Sequence, residues 1–199
     1  MKQFLTSREQ LLKAVAQETA RMSYPGRMGG VVMSGTKKVV EDYFVADFPI
    51  QDIWNKAGLI SRTFDRWHEK RVHELGRRIR QGGLIKKKTD LGEAVAAKFL
   101  NTYMHQLMKY EQCRLLWDEL HLPLDKRILV ALSRLQRGMK SSALKRVSLI
   151  LRKSPYSLTY DEYIQVQRAL SDFITELNGR PRCQIRLRSR IELNLLWAE

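Results

Sequence analysis

The chain has 199 residues, 44% of them hydrophobic, which is enough for a real core and argues against wholesale disorder. It carries 36 Lys+Arg against 21 Asp+Glu, a formal net charge of +15; such a charge attracts polyanions, nucleic acid first among them. No apolar run approaches the roughly 20 residues needed to cross a bilayer, and the N-terminus turns charged too soon for a signal peptide, so we expect a cytoplasmic protein with no membrane partner.

Taken in order, the chain reads as helices. Thr6-Ser7-Arg8-Glu9-Gln10 has capping-box spacing, and Leu11, Leu12, Val15 and Ala16 follow as an apolar stripe, so a helix is predicted over 6–21. Residues 23–36 have turn chemistry in Tyr24-Pro25-Gly26 and Gly29-Gly30. Gly30 to Gly35 has phosphate-loop spacing, but Thr36-Lys37 stands where that motif needs Lys before Ser or Thr. A short helix is predicted over 36–46, with Val39, Val40, Tyr43 and Phe44 on its apolar side.

A longer helix is expected over 61–80. Phe64, Trp67, Val72, Leu75 and Ile79 form its buried stripe, and Arg71, Arg77, Arg78 and Arg80 its basic side. Gln81-Gly82-Gly83 breaks it, and Lys86-Lys87-Lys88 follows. Residues 90–110 repeat apolar pairs every four residues, from Val95/Ala96 to Leu107/Met108, as a helix in mid-core does.

Pro123 forces a turn. Asp125 is placed to cap a helix over 126–136, with Ile128, Leu129, Leu132 and Leu135 on one face and Gly138 ending or loosening it. Helices over 141–152, stopped by Pro155, and over 159–177, opened by a Thr159–Glu162 capping box, complete the core. The apolar segment from Ile191 to Trp197 should pack back as a short helix. No strand pair has hairpin chemistry. The fold class is therefore all-α: a single compact helical domain of about seven to nine helices, with two lobes, 1–83 and 84–199, as the alternative division.

Two stretches resemble known families. Pro123, Asp125, Ile128, Arg134 and Leu135 form a Pro-x-Asp turn opening a helix, with an apolar residue three positions after the Asp and a later Arg-Leu. This resembles the catalytic-aspartate segment of the helix-hairpin-helix DNA glycosylase superfamily, over about residues 90–199 at most. The resemblance implies an enzyme that excises or recognises a base in DNA, with Asp125 stabilising the developing sugar cation or activating the attacking group. It also implies Lys98, after Leu91-Gly92-Glu93-Ala94, as the amine nucleophile of a bifunctional member. Pro49 to His68, with Asp52-Ile53, an Ala57-Gly58 turn and Thr63-Phe64, is similar to the helix-turn-helix of tetracycline-repressor-type regulators. That likeness implies a recognition helix bearing Arg62, Thr63 and Arg66.

Each has a plainer counterpart. Asp125 is also an ordinary helix cap, Lys98 an ordinary solvated lysine, and Trp54, Leu59, Phe64 and Trp67 an ordinary core filling between two helices. Whether the chain is an enzyme stays open at this point. The shared expectation is a DNA-binding protein, most simply of duplex DNA. Its phosphate contacts would come from Arg62, Arg66, Arg77, Arg78, Lys86, Lys87, Lys88, Arg127, Lys140, Lys145, Arg146, Arg182, Arg186 and Arg188. An acidic protein partner, in an assembly or inhibitor role, is the alternative use of the charge. Cys113 and Cys183 are far apart and read as buried thiols, and His68-Glu69 with His73 is one residue too long for a zinc-protease pair. Neither a metal nor a cofactor is expected.

Overall fold

The computed structural model describes residues 8–23, 35–51, 53, 63–82, 93–180 and 186–196. They form an all-α structure that includes the helices α1 (Arg8–Ser23), α2 (Thr36–Asp42), α3 (Phe64–Gln81), α4 (Glu93–Leu107), α5 (Lys126–Met139), α6 (Ser142–Arg146) and α7 (Tyr160–Asn178). A π-helical turn, Tyr43–Asp47, extends α2, and short 3-10 segments cover Glu111–Glu119, Ile150–Arg152, Pro155–Ser157 and Arg190–Leu196. No strand occurs among the described residues, and none of their helices is long and apolar enough to cross a membrane.

The predicted helix α4 is the centre of the fold. Ala94 to Ala97, Phe99, Leu100, Tyr103, Met104 and Leu107 are buried almost all the way round it, as a helix packed on several sides requires. α1 and α3 lie against it, and α7 touches it as well. Phe44 stacks on Tyr103 with ring centroids 3.9 Å apart, and Phe48 meets the same ring edge-on. One apolar cluster runs from Val15 through α4 to Leu193, so the core is continuous across the division at residue 83.

Several boundaries differ from those the periodicity predicts. α5 does not stop at Gly138 but runs through Met139 and ends at Lys140, in the left-handed region at φ 50°. The single helix expected over 141–152 is α6, a turn, and the 3-10 segment Ile150–Arg152. Its start is held by Glu176 of α7, which accepts from the Ser141 hydroxyl at 2.6 Å, the Ala143 amide at 2.9 Å and the Ser142 hydroxyl. That anchor is tertiary and leaves no periodicity behind. The Thr159–Glu162 capping box is present in full at the start of α7. The 3-10 segment Arg190–Leu196 buries Ile191 and Leu193, and Asn178 ties it down through both backbone groups of Leu187, at 2.7 and 3.1 Å. The Thr6 capping box, the glycine loop before Gly35, Trp54, the Ala57-Gly58 turn, Leu59, Cys183 and Trp197 lie outside the described residues.

Candidate functional site

The Pro123 turn is fixed from α7. Gln167, fully buried, accepts from the Leu122 amide at 3.0 Å and donates to the Leu122 carbonyl at 2.8 Å. This satisfies both backbone groups of Leu122 in a place water cannot reach. Asp125 follows in extended conformation, and its Oδ1 accepts from the Ile128 amide at 3.0 Å, the expected cap. Its other oxygen, Oδ2, lies 3.6 Å from Nζ of Lys98 on α4. The Lys98 and Asp125 side chains are 14% and 31% exposed, respectively. Residues separated by a whole 3-10 segment and a turn are thus brought together.

The cations on α5 form a face. Lys126, Arg127, Arg134 and Arg137 are exposed, together with Val130, and all fall within roughly 100° of arc on an ideal helix. The buried Ile128, Leu129 and Leu132 point the other way, and the helix contains no carboxylate. Two of these cations sit in the first turn, where the helix dipole disfavours positive charge. On α3, Arg66, Lys70, His73, Arg77 and Arg80 make a second exposed row at helical spacing. Here carboxylates interleave: Glu69 lies 3.8 Å from His73, which also meets Glu93 at 3.2 Å.

Of the predicted phosphate contacts, Arg66, Arg77, Arg127, Lys140, Lys145 and Arg186 are exposed. Arg78 pairs with Asp47 at 2.7 Å and lies over the Tyr43 ring. Arg146 pairs with Asp172, and Arg188 with Asp118 at 3.4 Å. Arg62, Lys86, Lys87, Lys88 and Arg182 lie outside the described residues. The α5 face adds Lys126, Arg134 and Arg137, which sequence reading had not grouped as a binding surface. A helical wheel drawn opposite Ile128, Leu129 and Leu132 would have found them.

A buried polar chain is the largest feature that periodicity did not reveal. Asn101 Nδ2 donates to the Tyr163 hydroxyl at 2.7 Å. The Tyr163 proton must then go to His121 Nδ1, 3.0 Å away, which leaves His121 Nε2–H to donate to Asp65 Oδ1 at 3.0 Å. Asn101 Oδ1 accepts from His68 Nε2–H at 2.8 Å, which leaves His68 Nδ1 to accept from Tyr160, 3.1 Å away. The Tyr160 hydroxyl, which also lies 3.3 Å from the Asp65 backbone carbonyl, thus opens a chain of donors that ends on the Asp65 carboxylate. The two imidazoles are fully buried and 4.3 Å apart. Burial drives both histidines toward the neutral form this chain requires: His121 is lowered to about 4 and His68 well below its usual value. The His121 hydrogen bond holds Asp65 down at about 2. His68, whose spacing to His73 is one residue too long for a zinc-protease pair, is thus a member of this chain. No group of three or more His, Cys, Asp or Glu able to hold a metal occurs among the described residues.

No family model, no curated protein and no solved structure matches this chain. The reading of the site therefore rests on its own geometry and charge.

Proposed function

We propose that the protein binds nucleic acid, most simply duplex DNA, through phosphate contacts on the exposed face of α5. The observation that carries this is the row Lys126, Arg127, Arg134 and Arg137, with no carboxylate in the helix. Cations in the first turn oppose the dipole and do nothing for the helix itself. A helix selected for its own stability would carry Asp or Glu there, as α7 does with Asp161 and Glu162. Lys140 at the end of the helix and Lys145 on α6 extend the basic surface.

The test is a titration on random-sequence duplex DNA, single-stranded DNA and RNA at several salt concentrations. Binding should weaken steeply with salt, and the Arg134→Ala/Arg137→Ala variant should lower the salt slope by about 2. Salt-independent binding, or none, overturns the reading. A preferred duplex site weakened by Arg66→Ala would instead favour the helix-turn-helix regulator.

A second reading has an observation of its own. Lys98 Nζ beside Asp125 Oδ2 places an amine next to a carboxylate at a helix start. This is the pairing that the glycosylase resemblance implies for a base-excising enzyme. With its proton passed to solvent water, Lys98 would attack the anomeric sugar carbon as the free amine while the glycosidic C–N bond breaks; the base would leave carrying a proton from water, and the Asp125 carboxylate would stabilise the cation that develops on the sugar. Incubation with abasic-site DNA and borohydride should trap a covalent adduct in the natural chain and none in Lys98→Ala. Asp125→Asn should abolish base release while preserving the fold, because Asn caps a helix as well as Asp. No adduct and no base release would leave Asp125 as a cap and the protein as a binding module.

A further inference from the structure

Val130 stands 42% exposed on the solvent face of α5. A lone exposed valine is ordinary; this one has an unusual setting. On an ideal helix Lys126, Arg137, Val130, Arg134 and Arg127 follow one another round the exposed arc at intervals of roughly 20–40°, which puts Val130 near its middle. It is near the middle along the axis too. Lys126 and Arg127 lie about one turn before it, and Arg134 and Arg137 one to two turns after. All four cations are exposed, and none makes an ion pair among the described residues. The helix itself holds no carboxylate, and Asp125, just before it, is engaged by the Ile128 amide and by Lys98. The face is thus a short apolar centre between two pairs of long cations.

That arrangement has the shape of a groove reader. The rise of an α-helix separates the two cation pairs by between about 10 and about 17 Å. The major groove of B-DNA is about 12 Å wide and admits a helix. Long cations at both ends then reach phosphates on the two walls, while the middle of the face meets the floor. The floor is made of base edges, and a short side chain there lets the helix backbone come close. Valine offers no hydrogen-bond donor or acceptor. What it can read is the 5-methyl group of thymine, the apolar mark on the major-groove edge. The minor groove carries no such mark, and the major groove of duplex RNA is too deep and narrow for side chains to read. Nor does the helix need valine for itself, since a β-branched residue at an exposed helical position is a weaker helix former than alanine or leucine.

We propose that α5 enters the major groove of duplex DNA and that Val130 reads thymine there by packing on its 5-methyl group. Lys126 and Arg127 hold the phosphates of one wall, and Arg134 and Arg137 those of the other. This rests on the reading of α5 as the duplex-binding face, and adds to it a groove, an orientation and a base.

The test begins with selection of bound duplexes from a random-sequence library by the full chain. Each thymine of the selected site is then replaced in turn by deoxyuridine, which removes the methyl group and nothing else. At one position the replacement should weaken the natural chain about fourfold, the worth of one buried methyl group. The same replacement should change the affinity of Val130→Ala by less than twofold. Val130→Thr, which keeps a methyl group, should retain the sensitivity. Val130→Ala sits on the surface and favours the helix, so it folds, and its salt slope should equal that of the natural chain because no phosphate contact is lost. Duplex binding without a preferred sequence, indifference to every deoxyuridine replacement, or equal sensitivity in Val130→Ala overturns the proposal and leaves the phosphate contacts of α5 standing. No binding to any duplex overturns both.

Discussion

At the scale of single residues, the buried chain from Tyr160 to Asp65 makes the fold sensitive to acid. His68 and His121 are neutral inside the protein but take up a proton in the unfolded chain below about pH 6.5. The unfolded state therefore binds more protons than the native state from about 6.5 down to about 4, where His121 itself protonates. Stability should fall through that window by on the order of 1.4 kcal/mol per pH unit for each histidine. Asp65 acts lower on the scale. Its folded value is depressed to about 2, so its contribution is complete above about 3.8 and is lost as pH falls through about 2. Urea denaturation at pH 7.5 and pH 5 checks the histidine part, and equal midpoints at the two pH values would rule out neutral buried imidazoles. None of this chain was legible in the sequence. His68, Asn101, His121, Tyr160 and Tyr163 come from four separate parts of the chain, and no spacing rule relates them.

At the scale of elements, helix identity was largely legible, and helix ends were legible only where the cap is local. Thr159 and Glu162 cap α7 from three residues apart, so the pattern alone suffices. Asp125 caps α5 in the same local way. The far end of α5 went the other way. Of the two roles Gly138 offers, ending the helix or loosening it, ending is ruled out: the helix continues through it, and Lys140 takes the left-handed position. A methyl group at Gly138 would meet nothing within 4 Å. Gly138→Ala should therefore stabilise the protein by about 0.5–1 kcal/mol, because it relieves the helix of a residue with excess backbone freedom. A higher urea midpoint at unchanged slope is the expected readout, and a lower one would mean that the helix does not pass through this position.

At the scale of the whole molecule, amphipathic patterning determined that the chain is all-α, with α4 at its centre. Apolar residues at helical spacing have to be buried together, and a helix apolar on nearly every side can only be the middle one. Composition likewise determined the excess of positive charge and hence the kind of partner to test first. The tertiary structure decided how that charge is distributed. Asp47, Asp118 and Asp172 occupy Arg78, Arg188 and Arg146, while the α5 row is free of carboxylates on its own helix. It also decided that Lys98 meets Asp125, that Arg190 enters the interior beside the start of α3, and that two histidines share one buried chain. The physical reason is range. Periodicity and capping act over a few residues and are written in neighbouring letters, whereas ion pairs, buried hydrogen bonds and clefts depend on which helix faces which, and that is settled only when the core closes.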